Sequence, residues 1–80
     1  MAVTADDLMK HFEEDHYVDI DEIDGDTPLF SSGLINSFAM VDTMEFIEKA
    51  LGKAMNPSHF TVANMDTVNK IMAYIASQTA

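Results

Sequence analysis

The chain has no cysteine and no arginine, and only 4 lysines stand against 14 acidic residues. Without cysteine there is no disulfide framework, no thiolate zinc site and no cysteine nucleophile. The charge balance gives a net −10 at pH 7 and a pI near 4.2. Nucleic acid is a poor partner for such a chain, because so few cations do not offset phosphate repulsion. A positively charged protein surface suits it better. No apolar run approaches the ~18 residues of a membrane span, and the N-terminus lacks a basic stretch leading into an apolar one; a cytoplasmic location is expected. What is present is globular: 48% of residues are apolar and 22% charged, unlike a disordered acidic tail. At 80 residues and 8.9 kDa there is room for one small domain, residues 1–80. A core that small rarely leaves space for a deep substrate pocket, which disfavours a self-contained enzyme.

Residues 4–17 read as a helix. Ala5, Leu8, Met9, Phe12 and His16 recur at helical spacing, Thr4 suits the N-cap, and Asp6 and Asp7 complement the positive end of the helix dipole. From 18 to 36 the pattern stops. Asp24-Gly25-Asp26 and Ser31-Ser32-Gly33 are turn signals, and Pro28 interrupts any regular element. Val18, Ile20, Ile23, Leu29, Phe30, Leu34 and Ile35 are scattered through this stretch, so an ordered loop packed across the helices is expected.

A second helix is expected from Asn36-Ser37 to Leu51, with Asn36 as N-cap and Gly52 as stop. Met40, Met44, Ile47 and Leu51 form its apolar stripe. Phe38, Asp42, Glu45 and Lys49 fall opposite, with Val41 and Glu48 on the flank, which puts an aromatic residue where periodicity predicts solvent. Asn56-Pro57 opens a short helical turn ending near Phe60. A last helix over 66–77 points Val68, Ile71, Met72 and Ile75 inward. The fold class is all-α, a small bundle of three main helices plus a short third one, with a long first connection. The 7 methionines are read as packing residues.

Several chemical motifs fail on inspection. Asp19, Asp21, Asp24 and Asp26 resemble a calcium loop, but counting from Asp19 the fifth position is Ile23, the sixth Asp24 and the twelfth Phe30. An EF-hand needs an oxygen ligand, glycine and glutamate there. His11 and His16 are five apart, which sets them on different helix faces, and His59 has no acidic partner nearby in sequence, so no metal site is expected. Ser37 is not a nucleophile elbow, since neither the spacing nor the preceding strand is present, and no catalytic residue is assigned. Ser37 stands instead at a helix start, beside apolar Phe38 and above Asp42, Glu45 and Glu48. A phosphate attached there is favoured by the helix N-terminus, through its free N–H groups and dipole. Spacing alone leaves two roles open for this serine, modification by another protein or a plain share in capping.

The stretch Leu29-Phe30-Ser31-Ser32-Gly33-Leu34-Ile35-Asn36-Ser37-Phe38 resembles the phosphopantetheine attachment region of acyl and peptidyl carrier proteins. The resemblance covers nearly the whole chain, through the glycine after the second helix, a short third helix, and the lead-in Phe60-Thr61-Val62-Ala63-Asn64-Met65-Asp66-Thr67-Val68. It implies a four-helix carrier whose Ser37 is esterified by a separate phosphopantetheinyl transferase with the 4′-phosphopantetheine of coenzyme A. The arm's thiol then holds acyl or aminoacyl cargo as thioesters for loading enzymes, synthases, acyltransferases or tailoring enzymes. It also implies a partner-facing helix two, with Asn36, Phe38, Met40 and Val41 in contact and Asp42, Glu45 and Glu48 steering basic patches.

Two residues depart from the family pattern. Asn36 stands where Asp is usual, removing a charge that transferases read, and Phe38 stands where Leu or a similar residue is usual. Glu45 is also polar where many carriers place an apolar contact. Leu34-Ile35 and Phe38-Ala39 look more like discrete carriers of specialised metabolism, of polyketide, nonribosomal peptide or antibiotic type, than housekeeping ones. Met1 and the lack of linker flanks suggest a free-standing monomer. The competing expectation is an unmodified acidic helical module that docks basic partners through helix two.

Overall fold

Thr4 sets where the chain first becomes helical. In the computed structural model, which describes residues 3–79, its extended backbone precedes α1 (Ala5–His16). Its Oγ1 accepts the Asp7 N–H at 3.1 Å while the Asp7 carboxylate accepts the Thr4 N–H at 3.0 Å, a reciprocal capping box. Met1, the expected start of a free-standing chain, lies outside the described residues. The helix stops at Tyr17, which takes a left-handed conformation (φ 58°), and the Tyr17 and Val18 N–H groups both close onto the Phe12 carbonyl. A non-glycine residue in that region is strained, and this one is 91% exposed. Leu8 and Phe12 are fully buried as expected, while Ala5, Met9 and His16 are half-buried. His11, outside the expected stripe, is buried too because its ring stacks on Phe46 at 4.4 Å between centroids.

The connection that follows is ordered, as its apolar content predicts. A 3-10 turn (Ile20–Glu22) is capped by Asp19, and Val18, Leu29, Phe30 and Ile35 enter the core. Leu34, expected to pack with them, is 48% exposed. What fixes the loop is polar. Asp66 Oδ1 accepts the N–H groups of Phe30 (2.8 Å) and Ser31 (2.9 Å), Oδ2 accepts the Ser31 hydroxyl (2.6 Å), and the Asp66 carbonyl accepts the Leu29 N–H (2.7 Å). A second tie runs from the Asn69 N–H to the Gly25 carbonyl at 2.9 Å. A Cβ on Gly25 would come within 2.6 Å of the Asn69 side chain, so a larger residue there would push that amide off its 2.8 Å bond to Asp26.

Helix α2 (Ala39–Leu51) begins later than expected. Residues 36–38 form a turn, with the Ala39 N–H on the Asn36 carbonyl (2.9 Å) and the Met40 N–H on the Ser37 carbonyl (3.0 Å), before regular pitch sets in. It buries Ala39, Met40, Thr43 and Ile47, leaves Met44 and Leu51 half-buried, and stops at left-handed Gly52. Asn56 caps the expected short turn, a 3-10 helix (Pro57–His59). The following segment, expected only to lead into the last helix, forms the one-turn helix α3 (Val62–Met65), because Thr61 Oγ1 accepts the Asn64 N–H (3.3 Å). Helix α4 (Val68–Thr79) begins and ends about two residues later than expected and packs on α1 and α3. Val68, Ile71 and Ile75 are buried and Met72 half-buried. The fold is therefore an all-α bundle of four helices, with no strand among the described residues. Among the described residues no helix is long and apolar enough to cross a membrane.

The Asp66 tie has a pH signature. The Ser31 hydroxyl, then the Ser31 and Phe30 N–H groups, hold the Asp66 carboxyl below its ordinary range. A depressed folded-state pKa contributes stability above the unfolded value and loses it as pH falls through the folded one. Asp66→Ala is therefore expected to lower unfolding free energy by about 1–2 kcal/mol at neutral pH, solvent screening included. In urea titrations the gap from wild type should close as pH drops below the usual carboxylate range. Leu29→Ala, at a fully buried position, should cost about 2–5 kcal/mol at either pH.

Candidate functional site

The turn that opens α2 presents Ser37 to solvent. It is positioned from both sides. Upstream, the loop is pinned by Asp66 and by a bond from the Ile35 N–H to the Leu29 carbonyl (2.9 Å), with the Ile35 side chain buried. Downstream, Ala39 and Met40 are buried and fix the first turn of the helix. Asn36, expected as the N-cap of α2, does not hold that position: Phe38 does, without a side-chain cap, and Asn36 instead closes the preceding turn, its Oδ1 accepting the Phe38 N–H at 2.9 Å. Among the described residues no hydrogen bond engages the Ser37 hydroxyl. The N–H groups expected to greet an attached phosphate are in use. Phe38 N–H is held by the Asn36 side chain, Ala39 N–H by the Asn36 carbonyl and Met40 N–H by the Ser37 carbonyl. What remains for an anion at this helix start is the dipole and the N–H of Ser37 itself, which has no hydrogen-bond partner among the described residues.

The surroundings of Ser37 are apolar and acidic. Phe38 is 84% exposed and Val41 57% exposed. A groove of about 430 Å³ beside the serine runs between Tyr17, Leu34, Ile35, Phe38 and Asp42. Tyr17 and Leu34 were not expected on this surface; the strained end of α1 and the bend at Gly33 put them there. Asp42 and Glu45 are exposed. Met40 is not part of this surface, because at 7% exposure it packs inward with the stripe. Glu48 is half-buried and committed elsewhere, its Oε2 accepting the Met55 N–H at 2.7 Å to hold the segment after α2.

The histidines correct an expectation. His11 and His16, expected on different faces, have ring centroids 5.2 Å apart, and both meet Asp42. The five-residue spacing argument concerns one helix alone. Here the imidazoles, one from the middle of α1 and one from its last residue, converge on a carboxylate that α2 supplies. Asp42 Oδ2 lies 2.9 Å from His16 Nε2 and 3.9 Å from His11 Nε2, and Asp15 Oδ2 is 2.9 Å from His11 Nδ1. Burial pushes the His11 imidazole below its ordinary pKa, against the attraction of Asp15 and in the same direction as neighbouring His16. His59 instead pairs with the Tyr74 hydroxyl at 3.0 Å. Three carboxylates of the acidic loop are engaged: Asp19 and Asp24 accept N–H groups two residues on, and Asp26 accepts from the Asn69 side chain of α4.

A family described as the phosphopantetheine attachment site matches residues 6–75. No curated protein and no solved structure matches the chain.

Removing the Asn36 side-chain acceptor should loosen the turn around the serine. Asn36→Ala is expected to cost about 1 kcal/mol in urea unfolding and to speed amide exchange at Phe38. Asn36→Asp, which keeps the acceptor and adds a charge suited to a helix start, should be neutral or stabilising.

Proposed function

Because the chain belongs to the phosphopantetheine attachment-site family, the domain to which 4′-phosphopantetheine is covalently bound, we propose that Ser37 is the residue that carries the arm. The observation behind this reading is an exposed, unbonded hydroxyl at the start of α2, inside the matched span and flanked by an apolar and acidic surface. In the transferase step Ser37 Oγ gives up its proton and bonds to the phosphate of the arm. The bond to the nucleotide half of coenzyme A breaks, and the nucleoside bisphosphate leaves. When attached, the arm supplies a terminal thiol that carries acyl or aminoacyl groups as thioesters. The chain has no cysteine, so no side-chain thiol competes for that cargo.

This chain's residues position and present. Asn36 holds the turn, Phe38 and Val41 offer apolar contact, and Asp42 and Glu45 attract basic partner patches. Catalysis belongs to the partners: the transferase, a loading enzyme, and the synthase, acyltransferase or tailoring enzymes that take the cargo. The Leu34-Ile35 and Phe38-Ala39 context supports a carrier of specialised metabolism, of polyketide or nonribosomal peptide type.

Incubation with coenzyme A and a broad-specificity transferase should add one phosphopantetheine to wild type, read by intact mass, and none to Ser37→Ala. A folded wild type that gains nothing with several transferases would overturn the carrier reading in favour of an unmodified docking module. Phe38→Ala should lower transferase kcat/KM roughly tenfold with little change in stability. Glu45→Lys should lower it more at low salt than at high salt.

A further inference from the structure

The junction of α1 and α2 contains a cluster that carrying an arm on Ser37 does not require. We propose that His11, His16 and Asp42 form a binding site for a first-row divalent transition ion, with zinc the natural probe. Their ligand atoms all lie within 4.8 Å of one another. Tetrahedral ligands at zinc bond lengths of ~2.0–2.1 Å stand roughly 3.3 Å apart. The separations of 2.9 Å from Asp42 Oδ2 to His16 Nε2 and 3.9 Å to His11 Nε2 bracket that value.

Two further features point to an ion. His16 Nε2 is buried with no hydrogen-bond partner among the described residues, and the nearest ligand atom to it is Asp42 Oδ2 at 2.9 Å. Asp15 sits at 2.9 Å from His11 Nδ1, on the ring nitrogen away from the cluster. A carboxylate there fixes the tautomer, protonated on Nδ1, that leaves Nε2 as the ligand, the arrangement seen behind metal-bound imidazoles. The Thr43 hydroxyl is 3.5 Å from His11 Nε2, too far to compete strongly for it. Phe46, stacked on His11, holds the ring from the other side. Imidazole and carboxylate donors suit zinc, copper, nickel or cobalt, whereas calcium and magnesium prefer all-oxygen sites. With three protein ligands and Asp42 half-exposed, the remaining position opens to water. An ion held there staples the end of α1 to the first turn of α2, in the helix that Ser37 opens, and neutralises part of the acidic surface.

The test is calorimetric titration of the tag-free, chelator-treated protein with zinc chloride, alongside cobalt(II) absorption spectra and thermal melts. The expected result is one equivalent bound, a raised Tm and visible cobalt bands of low-coordinate intensity. Affinity should fall at least tenfold in His16→Gln, whose folding circular dichroism checks, and about ten- to hundredfold in Asp15→Asn. His59→Gln and Ser37→Ala should bind as wild type does, which separates this site from the serine's modification. Excess calcium should not displace the zinc. Absence of binding, unchanged affinity in His16→Gln, loss in His59→Gln, or displacement by calcium would each overturn the site.

Discussion

One carboxylate fixes the connection that leads to the proposed attachment serine. Asp66, between α3 and α4, receives two N–H groups and a hydroxyl from the middle of the long connection, and its carbonyl takes a third N–H from the same stretch. Those bonds join segments some 35 positions apart in sequence. They convert an irregular stretch into a fixed strap whose buried Leu29, Phe30 and Ile35 set the point at which α2 can begin. A connection of this length would otherwise sample many conformations at a large entropic cost. With it anchored, the turn at residues 36–38 is fixed in place, and an exposed serine sits at a defined spot on a rigid body.

The same geometry separates two kinds of charge. Aspartates of the first connection cap turns and bind the α4 side chain Asn69, so they serve the strap. Asp42 and Glu45 face outward beside Phe38 and Val41, the surface proposed above for docking, where charge would attract a partner from a distance and apolar area would hold it on contact. Asp42 also faces inward to two imidazoles, so it links that exposed face to the packing of α1 on α2.

Much of this was legible in the sequence because it is local. Thr4 with Asp7, Gly52 after Leu51, Asn56 before Pro57 and the inward residues of α4 act within one or two turns of chain, where cap and period rules apply. The exposed aromatic beside Ser37 was legible for the same reason. Helix α3 was not, since its four residues are too few to show a period and only the Thr61 side chain marks its start. The late start of α2 follows from a turn that Asn36 closes before helical pitch begins, a difference that residue type does not encode. The His11–His16–Asp42 cluster depends on how two helices cross, and spacing along either helix is silent on that. Met40 shows the converse, where periodicity placed the residue inward while the family resemblance suggested a contact, and the burial follows periodicity.

Fragmentation mapping of the protein after reaction with coenzyme A and a transferase tests the central claim most directly. The account predicts that the phosphopantetheine resides wholly on the peptide containing Ser37, with fragment ions placing it on that side chain. Attachment at Ser31, Ser32 or any other hydroxyl would contradict it, because the strap and the turn would then be presenting the wrong residue.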